Sequence, residues 1–184
     1  MLKFANTPLA RSLATSMRIR VATEADIPEM GHVRMSVREN RLPILGSLQA
    51  GGTERMPGGD GCGWVAEVDG RVVGFAIADL SGANVYALFV EPDFERREIG
   101  RMLHDAMMGW FFSNQISSVW LSTDPGTRAE RFYRNAGWIL AGEEANGEIR
   151  FEMSRDRCAA STRTFSGCVS LPTSPSLSSS MRMV

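Results

Sequence analysis

At 184 residues the chain is long enough for one compact domain, and its 43% hydrophobic content can fill a single core. A net charge of −1, with no run near 20 apolar residues, argues against a nucleic-acid binder and against a membrane-spanning chain. Cys62, Cys158 and Cys168 show neither paired nor metal-ligand spacing, which argues against a disulfide scaffold or metal centre and points to inert thiols in a reducing compartment, the cytoplasm. The charge is uneven: residues 1–17 carry +2 and residues 154–184 carry +3, leaving −6 on the body between them. An acidic body suits amine substrates better than nucleic acid.

Residues 1–17 are free of acid and contain scattered Ser, Thr, Arg and Leu, which resembles an organellar transit peptide. The alternative is an extension that precedes a true start at Met17. Arg18–Val21 reads as a short strand. Thr23 and Asp26 have capping-box spacing and open a helix that runs to about Asn40. Gly46, Gly51, Gly52, Pro57, Gly58, Gly59 and Gly61 then make residues 41–61 a loop. Residues 63–68 and 71–79 form a hairpin around Asp69-Gly70.

Residues 85–90 form the next strand, followed by a helix over 99–113, a strand over 118–122 and a helix over 128–135. Strands over 138–144 and 148–153 close the body through Asn146-Gly147. Residues 154–184 lose hydrophobic periodicity and turn Ser/Pro-rich, so they read as a disordered tail outside a domain of residues 18–153. One β-α unit, a run of strands, and then alternating helices and strands give an α/β fold.

Two segments carry the chemistry. Val85–Leu103 delivers a buried strand into a helix start. The first amides of a helix lack internal partners, and the helix dipole adds positive potential, so this junction is an anion site. Arg96, Arg97 and Arg101 crowd the same turn and can pair with phosphate oxygens. About thirty residues on, Val119–Trp138 gives another strand, a Pro-Gly turn and a short helix that ends in Phe132-Tyr133-Arg134-Asn135-Ala136-Gly137-Trp138. The pair resembles the GNAT superfamily of N-acetyltransferases, whose first motif is Gln/Arg-x-x-Gly-x-Gly/Ala and whose second ends in Phe-Tyr-x-x-x-Gly-Phe/Trp. The resemblance covers roughly residues 18–153.

This resemblance implies a mixed, mostly antiparallel sheet of six to seven strands flanked by about four helices, and acetyl-CoA as cofactor. It implies that Leu88, Phe89 and Val90 hold the pantetheine arm through a bulged backbone. The pyrophosphate then falls to Glu95, Arg96, Arg97, Glu98, Ile99, Gly100 and Arg101. Here Glu95 stands at the Gln/Arg position and Glu98 at the first glycine, and a carboxylate beside pyrophosphate weakens binding by about 1 kcal/mol. Tyr133 matches the general acid that protonates the departing thiolate, a role a phenol can fill in a dry pocket.

Gly126 replaces a family asparagine, while Thr127 is suited to cap the second helix and Asp124 to close the Asp-Pro-Gly turn. Glu91 and Glu67 are the candidate bases. His32 and His104 fall within helices and read as non-catalytic, and Arg128, Arg131 and Arg134 form a helical stripe that is either solvated or meets the cofactor's 3′-phosphate. The expected activity is acetyl transfer from acetyl-CoA to a primary amine of a small molecule or peptide, by direct attack in a ternary complex. No metal, nucleic acid or membrane enters this reading, and a homodimer is allowed. The rival is a weakly active or inactive acyl-CoA-binding or regulatory module of the same fold.

Overall fold

A computed structural model describes residues 16–37 and 60–162, the side chains of 159–162 excepted. The strands are β1 (Met17–Val21), β2 (Gly61–Val68), β3 (Arg71–Asp79), β4 (Asn84–Val90), β5 (Ser118–Thr123), β6 (Ile139–Glu143) and β7 (Ile149–Ser154). The helices are α1 (Ile27–Ser36), α2 (Ile99–Ser113), α3 (Arg128–Asn135) and α4 (Arg155–Thr162). All seven strands join one sheet in the order β1-β2-β3-β4-β5-β7-β6, and every pairing is antiparallel apart from β4 with β5. This is the mixed, mostly antiparallel seven-stranded α/β fold with four helices.

β3 is buried from Val72 to Ala78, as expected for a central strand covered on both faces. On one face Leu103, Met107 and Phe111 of α2, one helical turn apart, are fully buried. Each contributes roughly 1.5–3 kcal/mol by leaving water. On the other face Met30 and Val33 of α1 cover Val65, Phe75 and Ile77. The Asp69-Gly70 turn has both residues at positive φ, 49° and 83°, which matches the right-handed twist of the hairpin it joins. β6 is an edge strand exposed along its whole length, Ile139 and Leu140 included.

The first corner is an ionic one. Asp26 is buried, accepts hydrogen bonds from the Thr23 backbone (2.7 Å) and hydroxyl (2.9 Å), and pairs with Arg20 at 2.7 and 2.8 Å. Arg20 also reaches Glu67, which Arg18 holds from β1. The Arg20 guanidinium drives the Asp26 carboxyl well below the usual carboxylate range.

Three boundaries depart from the sequence reading. α1 stops at Ser36 instead of Asn40, and Val37 is already extended. The β6–β7 turn is not a two-residue Asn-Gly turn. Gly147 N–H donates to Glu144 O and Gly147 takes φ 87°, a three-residue connection in which only Gly147 is left-handed. Residues 155–162 form α4 where a tail was expected to begin, because Arg155 is anchored by the carbonyls of Phe112 (2.7 Å) and Ile116 (3.4 Å). Residues 1–15, 38–59 (nearly all of the expected glycine-rich loop) and 163–184 lie outside the described residues.

Candidate active site

Six register pairs align β3 with β4, whereas only Asn84 and Trp120 align β4 with β5. That single joint is well fastened. Trp120 N–H donates to Ala83 O (3.0 Å), the Trp120 indole to Gly82 O (2.9 Å) and the Asn84 amide to Trp120 O (3.2 Å). Beyond it the two parallel strands diverge and open a cleft of about 790 Å³.

Glu91 N–H donates to Val73 O at 2.9 Å, which fixes the alternation along β4. Phe89 therefore turns its backbone groups to β3, while Leu88 and Val90 turn theirs to the gap. The gap is thus lined by a strand edge with donors and acceptors to offer. The register irregularity in β4 falls at Tyr86, between the pairs Ala78–Val85 and Ile77–Ala87, and not within residues 88–90 where the resemblance put it. The extra residue turns both Tyr86 and Ala87 toward the α1 face.

At the wide end the cleft meets the start of α2. Arg96 and Glu98 are left-handed, with φ 59° and 64°, and Glu98 stands at the N-cap position of α2 without a side-chain capping bond. This explains the glycine at the equivalent motif position: the backbone there favours a residue without Cβ. Gly100 has ordinary room, since a Cβ would sit 3.7 Å from Val90 and 3.8 Å from Phe132. Arg96, Arg101 and Arg128 line the cleft, and so do Glu95, Glu98 and Asp105. Glu95 is ion-paired with Arg128 across the mouth. With charges of both signs balanced, anion affinity here must come from helix amides and individual arginines, not from net charge.

Of the ten expected cofactor residues, Leu88, Phe89, Val90, Glu95, Arg96, Glu98, Gly100 and Arg101 line the cleft. The other two do not present their side chains to it. Arg97 stacks on Phe94 at 5.0 Å, and Ile99 is buried in the α2 core.

Tyr133 also lines the cleft, 7% exposed, within an aromatic cluster of Phe132, Trp138 and Phe151. Among the described residues nothing hydrogen-bonds its hydroxyl. Burial pushes its pKa far up, so the phenol keeps its proton at any physiological pH. Trp138 donates its indole N–H to His104 Nε2 at 3.0 Å, which leaves the His104 proton on Nδ1, 3.0 Å from Asp105. The tryptophan that ends the second motif thus locks α2 to the β6 side. Thr123, the last residue of β5, lines the cleft and buries a hydroxyl that has no partner among the described residues.

Both proposed bases are occupied. Glu67 is held by Arg20 and Arg18, whose hydrogen bonds lower its pKa, and Glu91 is held by Arg71. A carboxylate committed to arginine is a poor proton acceptor. Thr127 caps α3 by accepting from Glu130 N–H (3.2 Å) and binds back to Asp124 O (2.8 Å), so Asp124 belongs to the turn. Gly126 N–H donates to the Glu130 carboxylate at 2.6 Å. The arginine stripe is not one surface: Arg128 pairs with Glu95, Arg134 with Glu130, and Arg131 is exposed. His32 is exposed on α1. Cys158 of α4 lines the cleft, its thiol shifted upward by burial and by Asp105, and burial moves Cys62 up to about 11.

The site is thus a parallel joint between two strands that then part, with a helix start at the gap. Residues 39–138 match the model of the acetyltransferase (GNAT) family, and the chain belongs to that family. Its fold recurs in the ribosomal-protein-S18-alanine N-acetyltransferase from Escherichia coli, at 16% identity and TM-score 0.61 over 76% of this chain and 94% of that one. It recurs in PaiA N-acetyltransferase from Thermoplasma acidophilum in complex with coenzyme A, at 15% identity and TM-score 0.62 over 76% and 99%. Ard1 from Thermoplasma volcanium is similar at 22% identity and TM-score 0.58 over 76% and 96%. No curated protein sequence matches the chain. The residues present fit acetyl-CoA as co-substrate: a free strand edge for an amide-rich arm, and a helix start with arginines for its phosphates.

Proposed function

We propose that the protein is an N-acetyltransferase that passes the acetyl group of acetyl-CoA to a primary amine by direct attack in a ternary complex. The observation that carries this reading is Tyr133, a buried phenol with no hydrogen bond among the described residues, in the cleft that the free edge of β4 lines. Acetyl-CoA supplies an activated acyl carbon. The backbone groups of Leu88 and Val90 hold its arm, and amides preset along this edge stabilise charge on the carbonyl oxygen as the amine adds. The α2 amides, Arg96 and Arg101 take the phosphates. Tyr133 gives its proton to the departing sulfur, and its burial keeps that proton available.

Titration calorimetry of the full chain with acetyl-CoA tests the reading, followed by thiol release with a panel of amines. The panel includes alanine-initiated peptides, because the E. coli neighbour is an S18-alanine N-acetyltransferase. Micromolar binding with turnover is expected, and Glu98→Gly should bind about 5–10-fold tighter, the equivalent of about 1 kcal/mol. Binding without turnover on any amine would favour the acyl-CoA-binding module. No binding in either protein would sink both readings.

A further inference from the structure

Side chains alternate along β5. Val119, Leu121 and Thr123 are buried on the α2 face with Tyr133, so Trp120 and Ser122 project from the opposite face. Val37, at the end of α1, and Tyr86 line the cleft from that opposite side. The proposed proton donor and Ser122 thus stand on the two faces of one sheet, with the strand gap between them. This separation keeps the group that takes the amine's proton apart from the group that protonates the sulfur.

Ser122 Oγ donates to Glu148 Oε2 at 2.5 Å. Glu148 differs from four other glutamates on or beside the sheet. Glu67, Glu91, Glu144 and Glu152 are each bound by arginine, whereas among the described residues Glu148 has Ser122 as its one side-chain partner. Arg150, two residues on, lies over the Trp120 ring at 4.1 Å and is shared by Glu144 (3.5 Å) and Glu152 (3.3 Å). Glu148 is half-buried and held in place through its backbone, where its N–H donates to Asn146 Oδ1 (3.0 Å) and its carbonyl accepts from Glu144 N–H (2.7 Å).

We propose that Ser122 and Glu148 form the proton-accepting couple for the amine, an inference that rests on the acetyltransferase reading. As the C–N bond forms, the amine's N–H proton passes to Ser122 Oγ while the Ser122 proton passes to Glu148. The C–S bond breaks, the electron pair leaves with sulfur, and Tyr133 protonates it. Glu148 then holds the proton that Tyr133 lacks, and solvent exchange resets both when the products leave.

The test uses the full chain with saturating acetyl-CoA and an alanine-initiated peptide, spermidine and n-butylamine as probes, with thiol release followed from about pH 6 to pH 9. Glu148→Gln and Ser122→Ala should each lower kcat/KM about 10²-fold at neutral pH. The double variant should fall no further than the singles, and acetyl-CoA affinity by calorimetry should stay within about twofold. The deficit should shrink as pH rises and hydroxide replaces the couple in taking the N–H proton as the C–N bond forms, a trend that a merely structural role would not give. A pH-independent deficit, a loss within about twofold, or native protein that binds acetyl-CoA yet acetylates none of the probes would each overturn the proposal. Failure of the native protein to bind acetyl-CoA would instead remove the acetyltransferase reading, and the couple with it.

Discussion

The two seams of β4 differ as sharply as any two regions of this molecule. Toward β3 the strand is zipped over its whole length, and the half of the sheet behind it is locked by the Arg20–Asp26–Glu67–Arg18 network and by apolar cores on both faces. Toward β5 it is pinned at Asn84–Trp120 and then let go. In the closed half, Asp26, Glu67 and Glu91 are each bound by arginine. Along the open seam, polar groups are left with little or nothing to bind: the Leu88 and Val90 backbone edge, the Tyr133 hydroxyl, the buried Thr123 hydroxyl, and Glu148 with its serine. Asp79 at the end of β3 also buries an unsatisfied oxygen, but Leu88, Val90, Thr123 and Tyr133 line a cleft where a ligand can supply the missing partners.

Three substitutions probe this contrast. The largest effect belongs to the open seam: Tyr133→Phe should lower kcat by about 10²-fold or more and leave the calorimetric acetyl-CoA affinity unchanged. Retained turnover would remove the phenol from the chemistry.

In the closed half, Asp26→Asn should cost roughly 2–3 kcal/mol in urea unfolding, since it breaks a buried charged pair. Because Arg20 depresses the folded-state pKa of Asp26, this stability is fully present above the unfolded value, near 3.9, and is lost as pH falls below it. Native and variant stabilities should converge in strong acid. A gap that persists there would show that packing, not charge, dominates at Asp26.

The smallest effect is at Thr123. Thr123→Val removes a buried hydroxyl without a partner and should leave stability unchanged or raise it by up to about 1 kcal/mol. A loss of that size would mean the hydroxyl is bonded within the fold.

The sequence was most legible where a pattern is local. Turn residues between apolar runs marked the strands, Thr23-x-x-Asp26 and Thr127 announced helix starts that the structure contains, and residues of both motifs line one cleft. It was least legible where chemistry depends on register. Glu67 and Glu91 looked available because their arginines lie 49 and 20 residues away, and Glu148 escaped notice because Ser122 lies 26 residues before it on another strand. The period-2 pattern over Val119–Thr123 held a usable signal, since it separates Ser122 from Thr123 by face. The helix at Arg155–Thr162 carries little apolar pattern of its own, and the carbonyls that anchor Arg155 belong to α2 and the chain just after it.

Arg96 and Glu98 hold left-handed backbones that cost an L residue about 1 kcal/mol each. That brings open conformers of the turn nearer to the ground state, by about fivefold in population for each residue. Amides around residues 96–100 should accordingly exchange with solvent through local opening well before those in the body of α2. A phosphate that seats on them stabilises the closed turn, so occupancy of the cleft becomes visible as slowed hydrogen exchange at this one junction.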